Sequence, residues 1–297
     1  MLTGKFVVSG CFGVILGVLA GPALAQSSQS SSGGGGGGGC NSLPGWSALK
    51  SALNSAITPA SGPNGGLGFN MWGTIVDNSG IVCAVAFSGS GFTAQWLGSR
   101  VIAAQKANTG NSFSLGKNST PGGSLFPQGL ALSSANLYSA VQPGGSLFGL
   151  QASNPVDTDV AYGNRSAPGP VDPPPTSAGT FGTPQDPLVG QRVGGVNVFG
   201  GGLGLYVGGV RVGGLGVSGD TSCTDHMVAW RTRHALKLDN FAGVAGVSGD
   251  SAHPDNIIFD ITPNPYGGTG ISAGGFGHPT CLNNPTATAV SGLPAVQ

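Results

Sequence analysis

Charge is what this sequence has least of. Only 7% of its 297 residues are Asp, Glu, Lys or Arg, and the formal net charge is zero. A chain of that kind carries no basic footprint for nucleic acid and none for an anionic membrane surface. The partner it implies is a small molecule or another protein. Several chemical signatures are also missing. There is no C-x-x-C pair, which disfavours a zinc ribbon or a thioredoxin-type site. H-E-x-x-H is absent, so a zinc protease has no support. Ser218 lies in Gly216-Val217-Ser218-Gly219, which is not the G-x-S-x-G elbow of a serine hydrolase. Glycine is plentiful, at 57 residues, but without a collagen period, and 39% apolar residues with four tryptophans argue for a folded body. The apolar run from Phe6 to Ala20 is too short for a comfortable membrane span.

What that run does fit is export. Lys5, the apolar stretch and Ala23-Leu24-Ala25 before Gln26 match the three parts of a signal peptide. Cleavage is expected after about Ala25, which puts the protein in a periplasmic or extracellular space with no membrane span left. A lipoprotein reading through Cys11 or Cys40 fits poorly, since Cys11 has almost no apolar run ahead of it and Cys40 follows seven glycines. Processing leaves about 270 residues, enough for a sizeable core. It also leaves Cys40, Cys83, Cys223 and Cys281, an even number in an oxidising compartment. Four cysteines admit three connectivities. Cys40–Cys83 with Cys223–Cys281 is favoured, because each bridge would fasten a terminal segment onto the middle of the domain.

Residues 26–39 form a Ser/Gly linker, and a single domain is expected over 40–297. Trp46, Leu49, Leu53 and Ile57 recur at helical spacing within Leu43 to Ile57, with Pro44 tolerated in the first turn. Phe69 to Val76 and Ile81 to Phe87 are β-rich runs around Asp77-Asn78-Ser79-Gly80, a hairpin. Gln95 to about Ser112 reads as a helix, and Ser133 to Val141 as a short one. Residues 154–190 are proline-rich without an apolar period, which predicts a surface insertion. Strands are expected at Val196 to Phe199, Leu203 to Val207 and Val210 to Val217, then a helix from Cys223 to Leu238 capped by Asp220-Thr221-Ser222. Ile257 to Ile261 reads as an edge strand inside a Gly/Pro-rich C-terminal extension that starts near 240. The order predicts an α+β fold, an antiparallel sheet with helices packed against it. The hairpins argue against a doubly wound nucleotide fold.

Gly213-Gly214-Leu215-Gly216-Val217-Ser218-Gly219-Asp220 carries a strand through a glycine turn into a helix N-terminus. Such a junction aims backbone N–H groups and the positive helix end at one spot where an anion can sit. Close packing by the glycines and simple capping by Asp220 is the competing explanation. His226, Trp230 and Arg233 share a face of the following helix, an arrangement able to ligate haem iron and hold a propionate. Ser99 and Lys106 lie two turns apart on one face with Ala103 between them. A lysine there pairs with a carboxylate or snorkels to solvent.

Ile75-Val76-Asp77-x-x-Gly80, then Ser99-x-x-x-Ala103-x-x-Lys106-Ala107-x-Thr109-Gly110, then Gly213-Gly214-x-Gly216-Val217-Ser218-Gly219, resemble in order and spacing the GlcG-like family. That family includes secreted haem-binding proteins and the C-terminal part of some corrinoid adenosyltransferases. The resemblance runs from Trp46 to about Leu238. It implies an antiparallel sheet of about five strands flanked by helices, homo-oligomers, and haem or another small ligand bound near the sheet and helix ends. The expected site is Ser99, Lys106, Ser218, Gly219, Asp220 and His226, with His226 on the iron and no catalytic residue. The expected role is haem capture or redox-linked sensing. Two rivals stand beside it: an enzyme or accessory subunit acting on a small hydroxy- or oxo-acid through Asp220, Asp225 and His226, and a non-catalytic oligomeric structural module.

Overall fold

The computed structural model describes residues 39–60, 63–117, 119, 125–163, 178–268, 270–283 and 292–297. The expected signal peptide, most of the Ser/Gly linker and the triple-proline part of the insertion lie outside them. None of the described helices is long and apolar enough to cross a membrane.

The first long helix, α1 (Trp46–Ile57), buries Leu49, Ala52, Leu53 and Ala56, the face its spacing predicts. Asn64 closes it by donating from Nδ2 to the carbonyls of Ala56 and Ile57, at 2.9 and 3.0 Å, groups that have no partner inside the helix. Strands β1 (Trp72–Asp77) and β2 (Val82–Phe87) follow as an antiparallel hairpin. Its turn is set by Asp77, whose Oδ1 accepts from the backbone N–H of Ser79 and of Ile81. Gly80 supplies the φ of +82° that the turn requires. The second long helix is α2 (Gly98–Ser112). The second hairpin is β3 (Gly202–Val207) with β4 (Val210–Ser218), turning at Gly208-Gly209, and it leads into α3 (Ser222–Ala235). Thr221 caps α3, its side chain accepting from the N–H of Thr224.

The sheet has four strands in the order β2-β1-β4-β3, each neighbouring pair antiparallel. That is one fewer than the five implied by the family resemblance. Val196 to Phe199 does not become a strand because α2 takes its backbone groups: the Asn197 N–H donates to Thr109 Oγ1 at 3.0 Å, and Asn108 Nδ2 donates to the Gly195 carbonyl at 2.8 Å. Ile257 to Ile261 is also not an edge strand of the main sheet. A two-residue pairing of Ile261–Thr262 with Ile271–Ser272 stands apart from it.

Alternation along the strands divides the core into two faces. Ile75, Ala84, Ala86, Leu203, Leu205, Leu215 and Val217 point to α1 and α3 and pack with Leu49, Leu53, Met227 and Trp230. Trp72, Val76, Val85 and Phe87 point to α2 and pack with Val101, Ala103, Ala104 and Ala107. The second face also takes in Leu188 and Val193. The 178–190 part of the expected surface insertion is therefore partly core, with Asp186 and Leu188 buried. Arg100 of α2 holds it there through a buried ion pair with Asp186, one of whose contacts is 2.9 Å.

Both predicted disulfides are present, Cys40–Cys83 and Cys223–Cys281. The first ties the entry of the domain to β2, and the second ties the C-terminal extension to the first turn of α3.

Candidate functional site

The glycine motif of β4 is a seat for a helix. A Cβ on Gly214 or Gly216 would fall far inside van der Waals contact with the Ala107 or Ala103 carbonyl oxygen, and one on Gly202 would meet the Lys106 carbonyl. Gly110 of α2 returns the fit, facing the backbone of Leu203. With side chains removed from both surfaces, helix and strand backbones come into direct contact. The close-packing explanation of the glycines is the one this geometry matches.

That approach buries Lys106. Its Nζ is 2.6 Å from Asp225 Oδ2 on α3 and donates to the Val217 carbonyl at 3.3 Å, with the lysine side chain 1% exposed. Burial lowers the Lys106 pKa, against the raising effect of Asp225, and burial pushes Asp225 up to about 6 despite Lys106. The other Asp225 oxygen accepts from the Asp220 N–H at 2.9 Å. Asp220 is itself engaged: its carboxylate accepts from the N–H groups of Leu67, Phe69 and Thr221. The turn amides are thus directed at this chain's own carboxylates.

His226 is fully buried, and burial depresses its pKa to about 4. The ring is therefore neutral near pH 7, and its Nε2 sits 3.1 Å from Asn256 Oδ1 and 3.2 Å from the Ile257 backbone N–H. Nδ1 has no hydrogen-bond partner among the described residues. That nitrogen is enclosed in the core. Ser99 and Ser218 are buried as well, each 4% exposed, and a Cβ on Gly219 would meet the Asn70 carbonyl. The structure brings Lys106, Asp225 and Asp220 into one network and keeps Lys106, Asp225 and His226 buried, while Asp220 reaches the wall of a neighbouring groove. The three groups required by the small-acid enzyme reading, Asp220, Asp225 and His226, are all engaged in holding the fold.

A groove of about 880 Å3 lies beside this network, between the end of α1, residues 58–60 and 63–71, and the start of α3. Ile57, Pro63, Phe69, Met71 and Val228 supply apolar walls, and Asn64, Asp220 and Thr224 supply polar ones. Asn64 accepts from Nη1 of Arg231. Arg231 is 7% exposed, its Nε has no partner among the described residues, and it is in none of the three Lys/Arg–Asp ion pairs found there. Burial lowers its pKa. A guanidinium remains charged nonetheless, so this is a buried cation without a counter-ion among the described residues.

Sequence reasoning singled out neither Asn64, nor Arg231, nor His278. No local pattern marks Asn64 and Arg231, which are 167 residues apart. His278 carries a usable signal, His278-Pro279-Thr280-Cys281, a histidine three residues before a cysteine. The structure places it against the second disulfide. Its Nδ1 is 2.7 Å from the Pro279 carbonyl and therefore holds the proton. Nε2, 2.7 Å from Ser222 Oγ, then accepts from the serine, which in turn accepts from the Gly200 N–H.

No family model matches this chain, and no curated protein does. Among solved structures it is similar to Klebsiella pneumoniae protein ORFY, described under the family model DUF336, at 18% identity and a TM-score of 0.37 over 64% of this chain and 88% of that one. It is also similar to the protein in a PduOC–haem complex, at 20% identity and a TM-score of 0.37 over 64% of this chain and 89% of that one.

Proposed function

We propose that this is an exported small-molecule-binding protein, and that its groove takes a flat, largely apolar ligand with carboxylate edges, haem being the ligand its motif order implies. The observation that carries the reading is a largely apolar groove backed by a buried cation, Arg231, that has no counter-ion among the described residues. Phe69, Met71, Ile57 and Val228 suit the face of a ring system, and the cationic guanidinium of Arg231, held behind the groove wall by Asn64, supplies the positive charge that favours an anionic edge. Bound haem would supply iron-centred redox chemistry, and the chain's part is to hold the ring and exclude water from it. The fit is incomplete in one respect. The described groove lining offers no imidazole or thiolate, and His226, the expected iron ligand, would have to leave Asn256 and the core to serve. Self-association belongs to the same reading, favoured by exposed Trp96, Phe148 and Phe199.

An absorbance titration of the signal-less, oxidised protein with haemin tests this. A saturable Soret shift near one haem per chain is expected. Phe69→Ser should weaken binding by about tenfold through lost apolar contact, Arg231→Gln should weaken it as well, and His226→Ala should leave the Soret position unchanged. Loss of the Soret shift in His226→Ala, with the groove variants unaffected, would return the site to the buried network. An unsaturable titration would remove the haem reading altogether.

A further inference from the structure

We propose that Cys223, Cys281 and His278 form a redox-gated metal site, closed as a disulfide and opened by a dithiol reductant to take a zinc-type cation. The two sulfurs and a ring nitrogen of His278 lie within 4.8 Å of one another. They converge on one point: the Pro279 carbonyl oxygen is 2.7 Å from His278 Nδ1, 3.8 Å from Cys223 Sγ and 4.0 Å from Cys281 Sγ. Two thiolates and an imidazole around Zn2+, at about 2.3 and 2.0 Å from it, need a spread of this size once the sulfurs separate.

Three further features belong to a metal site more than to a structural bridge. The Cys223 N–H, in the first turn of α3, donates to Cys281 Sγ at 3.1 Å, and a helix N-terminus stabilises a thiolate. Ser222 Oγ holds the far nitrogen of His278, so that rotating its hydroxyl lets Nε2 carry the proton and frees Nδ1 for the metal. Cys281 is half-buried while Cys223 and His278 are buried, which leaves one side for the reductant and a fourth ligand to enter. The other disulfide is less suited. Its neighbour Asp77 is a hard oxygen donor whose carboxylate already holds the β1–β2 turn.

The chemistry balances. Two electrons pass from the dithiol to the disulfide; the S–S bond breaks, each cysteine sulfur takes a proton, and the reductant closes its own disulfide. Metal binding then releases those two protons.

The test uses the whole signal-less chain, reduced with dithiothreitol, freed of it without oxygen, and titrated with Co2+. One equivalent should bind with a thiolate-to-cobalt absorption band that Zn2+ abolishes, and the oxidised protein should show none. His278→Ala should weaken Co2+ binding at least tenfold. In alkylation mapping by mass, Zn2+ should shield Cys223 and Cys281 but not Cys40 or Cys83. Absence of the band, shielding of the other pair, a band indifferent to His278→Ala, or loss of native circular dichroism on reduction would each overturn the proposal.

Discussion

Lys106, His226 and His278 are polar side chains enclosed by protein, and each carries the cost of that enclosure in its protonation. Burial depresses His226 and His278 to about 4, whereas an unfolded histidine titrates near 6.5. Between those values the unfolded chain takes up a proton that the native ring refuses. Stability is therefore complete above about pH 6.5 and is lost as pH falls toward 4, by up to about 1.4 kcal/mol per pH unit for each ring. Asp225 acts in the opposite sense. Its native value near 6 lies above the unfolded carboxylate, so it offsets about one histidine over the same window. Urea midpoints measured at pH 7, 5.5 and 4.5 should fall, and His226→Gln should flatten the fall. A midpoint that rises on acidification would contradict this account. The spacing offered Lys106 a carboxylate partner but not its identity, and it marked the burial of neither histidine, because the groups that create these environments are distant along the chain: Lys106 meets Asp225 across 119 residues and Ser222 meets His278 across 56.

At the scale of elements, periodicity was a good guide wherever one face of a segment is apolar. Both hairpins and the three long helices fall where alternation or three-and-four spacing places them, within a few residues. It failed at Val196 to Phe199, where the residues suit a strand but the side chains of α2 take the backbone. The Gly213-to-Gly219 stretch was conspicuous in sequence, yet its contact partner, the backbone of α2, is invisible there. Two substitutions separate the kinds of glycine. Gly216→Ala should force α2 off the sheet and cost at least ~3 kcal/mol. Gly208→Ala has open space around it and only a φ of +58° against it, so it should cost about 1 kcal/mol. Chemical denaturation of the two variants reads the difference directly, and equal losses would mean that the helix seat yields.

For the molecule as a whole, the C-terminal extension was expected to be a Gly/Pro-rich tail held by Cys281. It is instead part of the core. Ile257 and Leu293 are buried in the α1–α3 face, Trp230 Nε1 donates to the Pro294 carbonyl at 2.9 Å, and Asp255 receives Arg233 on both oxygens at 2.6 and 2.8 Å. Composition hid this, since the few residues that anchor the tail are spaced too widely to form a period. Asp255→Asn leaves the Arg233 guanidinium buried without its counter-charge. It should cost about 3–5 kcal/mol, visible as a lowered thermal midpoint with the disulfides intact, whereas a tail held only by its bridge would barely respond.

Arg100 with Asp186, Lys106 with Asp225 and Arg233 with Asp255 turn six charges of a sparsely charged chain inward. The outside is left electrically quiet. Long-range steering and mutual repulsion, which keep most proteins apart and sort their encounters, have little to act through here. Contacts with neighbouring molecules are then decided at touching distance, by shape and apolar surface, and almost independently of the salt in the medium.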